Sequence, residues 1–326
     1  MRVEAAVTPT AGKGEVVVKV EAIALNPMDW MIQTMGPALF DFLKYPYIGG
    51  TDIAGAVTEV GPGVDHSHVA IGDRVLSLAL SLATNDPRNG AFQKFVVIQS
   101  HMLSHIPQSL PSVDAATLPL GVATAAAALY QKDYLGLTLP SLNPTPKGET
   151  VLIWAGSSSV GSNAIQLAVA SGYEVITTSS PRNFDYCKSL GASLVFDYSS
   201  ATLTLELLNA FRDRVTAGAF ALLPGSAEPC VEVVHQSKGA NFVAMALPYD
   251  GKLPDGIQTK FVFATSIKDN EVSRAIFQDY LPHALAQDKY RCFPKPHVVG
   301  HGLESLQEGF NQLKQGVSAK KLVVTI

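Results

Sequence analysis

The chain has 326 residues, 47% of them hydrophobic and 16% charged, which suits two domains or one large one with sizeable cores and argues against a disordered chain. Lys and Arg total 24 against 28 Asp and Glu, a net charge of -4, and no basic block offers a nucleic acid a footprint. Cys187, Cys230 and Cys292 lie far apart with no Cys-x-x-Cys pair, which excludes a disulfide framework or a Cys-rich zinc lobe and fits a reducing, cytoplasmic setting.

Met1–Lys13 carries Arg2, Glu4 and Pro9 and has no long apolar run, unlike a secretory signal. Glu15–Ala24 and Ala54–Val60 read as strands, with Gly-Pro-Gly at Gly61–Gly63 as a turn. Asp73–Leu80 and Phe92–Ile98 read as two more, separated by the turn-rich Asn85–Gly90. Short strands between Gly and Pro punctuation predict a small barrel-like β domain. The most apolar region, Ala115–Leu129, is interrupted by Pro119 and Gly121. It falls short of the ~20 residues that span a bilayer, so no membrane partner is expected.

After Pro140–Lys147 the rhythm changes to strand, turn, helix, strand, helix, strand. Val151–Ala155 is a continuous apolar run of the kind that is buried on both faces of a sheet. Asn163–Ser171 has helical spacing and is followed by Gly172; Tyr173–Thr178 is the next strand, and Phe184–Leu190 is a helix ending on Gly191. Leu194–Phe196, Ala219–Leu223, Phe242–Leu247 and Phe261–Ala264 are further strand candidates. Such alternation predicts βαβ units and a parallel sheet. A helix over Leu303–Lys314, Gly316 and a strand over Lys321–Ile326 close the chain.

Gly156-Ser157-Ser158-Ser159-Val160-Gly161 follows a strand and opens a helix. Laid on Gly-x-Gly-x-x-Gly, the outer glycines match and Ser158 takes the middle place, where its hydroxyl can donate to a phosphate. A tight turn, close helix packing at the last glycine and free N–H groups at a helix start suit a pyrophosphate; an ordinary unliganded turn reads the same way. The next strand ends without the carboxylate of an NAD-type site, in Ser179, Ser180, Arg182 and Asn183. Hydroxyls with a guanidinium suit a 2′-phosphate, so NADP(H) is favoured; helix capping and a solvated surface charge are the plainer readings of these residues.

Several stretches together resemble the zinc-independent medium-chain dehydrogenases/reductases, and look closest to the fungal branch containing trans-acting enoyl reductases of polyketide pathways. They are Ala24–Trp30, Pro46–Val60, Gly72–Val75, Leu118–Leu129, Gly148–Tyr198 and Gly316–Ile326, in the family's order and over almost the whole chain. The resemblance implies an α/β architecture. A GroES-like β domain, residues 1–120 and 290–326, is interrupted by an inserted Rossmann domain with a doubly wound parallel sheet, residues 121–289, and NADP(H) binds in the cleft between the two. It also implies cofactor contacts from Tyr198, Leu223 and Ala246 and a small-molecule substrate, free or carrier-bound on a polyketide synthase, for a monomer or homodimer. The zinc-dependent relatives hold their metal with Cys and with His of a Gly-His-Glu motif; here the corresponding stretches read Asn26-Pro27-Met28-Asp29 and Gly50-Thr51-Asp52. No metal is expected, and His66, His68, His297 and His301 lie in turn-like, polar stretches.

Without a metal, reduction is hydride delivery to an activated alkene, quinone or carbonyl, with the protein supplying orientation and hydrogen-bond donors. The family's loop and Thr-Ala motif nominate Asn26, Asp29, Trp30 and Thr124 beside the nicotinamide. Thr124 reads equally as a helix hydroxyl bonded to backbone. Trp30, Tyr45 and Tyr47 are candidates to line the substrate pocket or simply to pack, and either Tyr could donate a proton. The leading expectation is an NADPH-dependent reductase of an enoyl or other α,β-unsaturated carbonyl substrate. Three departures from the family pattern stand out, and the first two motivate an alternative. Met31 stands where members commonly carry Lys, Ala219–Leu223 lacks the usual Asp, and only Met1–Lys13 precedes the first strand. That alternative is a redox-neutral cyclase or isomerase of secondary metabolism on the same fold.

Overall fold

The computed structural model describes residues 1–326. The chain divides into two compact units, Met1–Leu120 with Phe277–Ile326, and Gly121–Ile276. The return to the first unit therefore begins at Phe277 and not at residue 290. Phe277 and Leu281 are fully buried there, and Gln278 Nε2 donates to the Ser100 carbonyl at 3.0 Å.

The first unit is built from β1 (Glu15–Ala24), α1 (Pro27–Met35), β2 (Asp52–Val60), β3 (Arg74–Leu78), β4 (Phe95–Gln99) and β5 (Leu103–His105). α2 (Pro119–Tyr130) spans the boundary between the units. The second unit continues with β6 (Glu149–Ile153), α3 (Ser159–Ala170), β7 (Glu174–Ser179), α4 (Phe184–Ser189), β8 (Leu194–Asp197) and α5 (Leu203–Phe211). It is completed by β9 (Val215–Ala221), α6 (Ala227–Gln236), β10 (Lys238–Gly239), β11 (Phe242–Met245) and β12 (Gln258–Phe261). β13 (Lys295–His301), α7 (Leu306–Gln315) and β14 (Lys320–Thr325) return to the first unit.

In the first unit the strand order is β13-β14-β1-β2-β3-β5, with β4 paired to β1 beside that path. β1 is long enough to serve two partners on one edge: Glu15–Lys19 pair antiparallel with β4, and Ala22–Ala24 with β14. Val16, Val18 and Val20 alternate into the core with Ile53, Val75, Ile98, Leu322 and Phe310, each worth about 1.5–3 kcal/mol of apolar burial. β13 overturns the expectation of a turn-like stretch around His297 and His301. It is an edge strand, parallel to β14, whose outward residues include Val298 at 50% exposure. An edge strand with no buried residue carries too little apolar alternation to be seen from sequence.

The second unit is a parallel sheet in the order β12-β11-β9-β6-β7-β8, with β10 beside β9. Counted along the chain this order reverses between β6 and β9, which makes a doubly wound Rossmann sheet with its ligand crevice at the carboxyl ends of the strands. The strand expected over Phe261–Ala264 lies earlier, at Gln258–Phe261, and residues 264–269 form a 3-10 turn; as an edge strand with alternating exposure it reads polar. The apolar region Ala115–Leu129, expected to fall short of a span, lies within a helical stretch Ser112–Tyr130 that is long and apolar enough to match one by length and composition, with 78% of its most apolar window buried inside the protein. It is the material of core helix.

Candidate active site

At the end of β1 the chain turns into α1 through a built cap. Asn26 is extended, Pro27 opens the helix, and the backbone N–H of Asn26 donates to Asp29 Oδ2 at 2.7 Å. The Asn26 side chain points the other way, into a buried polar cluster. Its Nδ2 donates to Thr51 Oγ1 and to Asp52 Oδ2, both at 3.0 Å, and its Oδ1 accepts from Lys321 Nζ at 2.5 Å. Lys321 also pairs with Asp52 Oδ2 at 2.9 Å, with the two side chains 4% and 0% exposed. The second Asp52 oxygen accepts from the Leu120 N–H at 2.7 Å, at the start of α2, where a carboxylate suits the helix dipole. A buried ion pair is tolerable only when its remaining hydrogen-bonding capacity is used. Here it is used from two strands, the cap of α1, Thr51 and the start of α2.

Beside this cluster the first unit has a pocket of about 510 Å³, lined among others by Asp29, Ile32, Tyr45, Tyr47, Phe92 and Phe310. α1 presents Asp29, Ile32 and Gln33 to it, three or four residues apart and so on one helix stripe. Burial pushes the Asp29 carboxyl up to about 7; the Asn26 N–H lowers it, Asp52 raises it, and Lys321 lowers it. Burial likewise pushes Tyr47 up to about 12, against the 3.0 Å hydrogen bond it shares with Ser81 Oγ. Tyr45 stands at the rim, 54% exposed.

Trp30, expected on the pocket wall, is not among its residues. One position after Asp29 it is turned about 100° around the helix, packs on the core of the first unit, and has Lys314 Nζ 5.6 Å from its ring centroid. Asn26 stands behind the pocket with its side chain wholly engaged. Thr124 lies in the second unit on α2, where it and Leu120 alone are not fully buried.

In the second unit the Gly156–Gly161 turn is tight at both outer glycines. A Cβ on Gly156 would meet Thr177 Oγ1 at 2.4 Å, and one on Gly161 would meet the Ala155 carbonyl at 2.2 Å, so both are places where only glycine lets backbone and strand approach. Ser158 caps α3, its Oγ accepting from the Gly161 N–H at 3.0 Å, which leaves the hydroxyl proton to donate elsewhere. The N–H groups of Ser159 and Val160 meet no acceptor in the chain, and Ser159 Oγ is buried without a hydrogen-bond partner. Unfilled donors at a helix start fit the phosphates of a dinucleotide. Asn183 Nδ2 ties the two neighbouring loops together through Ser157 Oγ at 3.2 Å and Ser180 Oγ at 3.1 Å. Ser179 ends β7, and Arg182 is exposed in the turn before α4. Tyr198 and Ala246 directly follow β8 and β11, and Leu223 comes two residues after β9. All lie at carboxyl ends of strands of the same parallel sheet.

Sequence reading missed the partners that make the first cluster, Thr51, Asp52 and Lys321, as well as the pocket aromatics Phe92 and Phe310. The signal available was a charge set directly against an apolar run in each of two strands, Asp52 before Ile-Ala-Gly-Ala and Lys321 before Leu-Val-Val.

Residues 12–108 match the alcohol dehydrogenase GroES-like domain. The dehydrogenase azaJ of Aspergillus niger is 49% identical over 331 residues, covering 99% of this chain and 95% of that protein. The trans-enoyl reductase himH of Aspergillus japonicus is 40% identical over 314 residues, covering 96% of this chain and 90% of its own length. A mycobacterial protein solved as a complex with NADPH shares the fold, with a TM-score of 0.71, 21% identity, and 100% of this chain and 95% of that one covered. The chain therefore belongs to the medium-chain dehydrogenase/reductase family of oxidoreductases. Within that family it falls in the branch of fungal dehydrogenases and trans-enoyl reductases.

Proposed function

We propose that the protein is a zinc-independent, NADPH-dependent reductase of an enoyl or other α,β-unsaturated carbonyl substrate, acting in the cytoplasm in secondary metabolism. The observation that carries the reading is the cluster of Asn26, Asp52 and Lys321 beside an apolar pocket holding Asp29 and Tyr47. At the loop where zinc-dependent relatives place metal ligands, this chain places a buried ammonium and an amide. No group of three His, Cys, Asp or Glu side chains converges elsewhere to hold a metal. The trans-enoyl reductase himH among the relatives supports the reaction type.

Each unit has its part. The head of α3 holds a pyrophosphate through the amides of Ser159 and Val160, and Ser179, Ser180 and Arg182 receive the 2′-phosphate. When bound, the dihydronicotinamide supplies a hydride for the substrate's β-carbon. Ile32, Phe92 and Phe310 keep the pocket dry for an uncharged, apolar chain. With Ser81 as donor in the hydrogen bond it shares with Tyr47, the Tyr47 proton holds the carbonyl oxygen on which negative charge develops. The pocket takes free substrate or one presented on a carrier of a polyketide synthase.

The test is loss of NADPH absorbance on adding enoyl thioesters and enones, with product mass raised by two hydrogens. Activity should survive dialysis against a chelator. In Arg182→Ala the preference for NADPH over NADH should fall about tenfold, equivalent to roughly 1.4 kcal/mol. NADPH bound tightly but never oxidised across a broad substrate panel would overturn the reading.

A further inference from the structure

We infer that Asp29, and not a tyrosine, is the acid that protonates the substrate's α-carbon, and that it is held as a neutral carboxylic acid in the pocket wall for that purpose. The inference rests on the reductase reading and assigns a role within the same pocket.

The geometry separates the two carboxyl oxygens. Oδ2 is fixed by the Asn26 N–H at 2.7 Å, which sets the side chain against the start of α1. Oδ1 accepts no hydrogen bond from the chain, yet it is not among the buried atoms shut off without a partner; the residue lines the pocket while being only 6% exposed. A carboxylic acid so placed has one oxygen anchored and one turned to the pocket space. The charged or titratable groups around it come from several elements, and Tyr45 and Met1 line the same pocket. Asp52 on β2 and Lys321 on β14 oppose each other's effect, and Tyr47 comes from the loop before β2. With those two charges opposed, desolvation dominates, and desolvation favours the neutral acid.

Tyr47 is a poorer candidate on the same geometry. Its hydroxyl is already joined to Ser81 Oγ at 3.0 Å, and burial pushes it away from ionisation, up to about 12. An acid that ionises near 7 is matched to proton transfer at neutral pH, whereas a phenol so far above it serves better as a hydrogen-bond donor that keeps its proton. The step balances. The β-carbon accepts a hydride, the C=C electrons move to form an enolate, and the α-carbon then takes the proton from Asp29. Asp29 is left as a carboxylate, which recovers a proton from water before the next turnover.

The sign follows directly. The donor must be protonated, so kcat should be flat below about pH 7 and fall roughly tenfold per pH unit above it, where a carboxylate replaces the acid. Three measurements test this. First, carboxyl carbon NMR of the whole wild-type chain, labelled in Asp, should show one signal titrating near 7 that disappears in Asp29→Asn. Asparagine keeps an oxygen for the Asn26 N–H, so the helix start is preserved. Second, with an enoyl thioester and NADPH, Asp29→Asn should lose about 100-fold or more in kcat and lose the alkaline limb, while KM changes little. Third, wild type in heavy water should place deuterium on one face of the α-carbon, and Asp29→Asn on both. If no Asp carboxyl titrates above about 5, or the deuterium stays on one face in the variant, the assignment of Asp29 is wrong while the reductase reading stands. Absence of NADPH oxidation by wild type overturns the reductase reading itself, and this role with it. If the variant does not fold, the wild-type titration and wild-type pH profile still decide.

Discussion

In the first unit, Asn26, Asp52 and Lys321 satisfy one another until no buried donor or acceptor among them is left over. At the head of α3 in the second unit, two backbone amides and the Ser159 hydroxyl are left open. The first arrangement is closed and positions its neighbours. The second is open, as a surface must be if a polar ligand is to complete it. Asp29 combines the two, with one oxygen tied into the closed side and the other facing the pocket. The contrast teaches that, in this chain, groups available for chemistry are those the fold has not already paired, and that burial alone does not distinguish them.

The closed cluster is most directly broken at Lys321. Lys321→Met leaves the Asp52 carboxylate and the Asn26 amide oxygen buried without their cation, and should cost about 3–5 kcal/mol in urea unfolding. Adding Asp52→Asn should recover most of that loss, because the stranded charge is gone. A cost near zero for the single change would mean that water reaches the pair and that the cluster is not closed.

The open loop responds to a different insult. Gly161→Ala puts a Cβ 2.2 Å from the Ala155 carbonyl, in a turn where Ala155 already holds a left-handed φ of 55°. The loop must shift, at a cost of about 1–3 kcal/mol. The expected signature is regional: nucleotide binding by titration calorimetry is abolished, while the carboxyl signal of Asp29 still titrates near 7. Loss of both together would show that the two regions are not separable in this way.

How much of this was legible follows from how each region is built. The loop is one contiguous hexapeptide between a strand and a helix, so Gly156, Ser158 and Gly161 could be assigned from local spacing. The closed cluster draws on Asn26, Asp52 and Lys321, three points far apart in the chain that meet only because β1, β2 and β14 are neighbours in the sheet. Spacing carries no such information. Lys321, second of two lysines that open a strand, reads as a surface charge until the pairing is known. Trp30 was nominated with the family's loop and also read as a packing residue; one helical step from Asp29 turns it onto the core and away from this pocket. β13 and β12 were missed or misplaced because edge strands expose one side and lose the apolar alternation by which strands are found.

The smallest expected effect is also the one that divides the two regions most sharply. Ser159 Oγ has no partner, and a Cβ on Gly121 would lie 2.9 Å from it. A buried hydroxyl with nothing to bond costs stability, so Ser159→Ala should raise the unfolding free energy of the free chain by about 1 kcal/mol. In the closed cluster no polar deletion should stabilise anything. If the hydroxyl is left open for a ligand, the same substitution should weaken NADPH binding several-fold, so that a gain in stability accompanies a loss in affinity. A gain in stability with unchanged affinity would make Ser159 a packing defect beneath α2, and would leave the amides of Ser159 and Val160 as the loop's whole provision for phosphate.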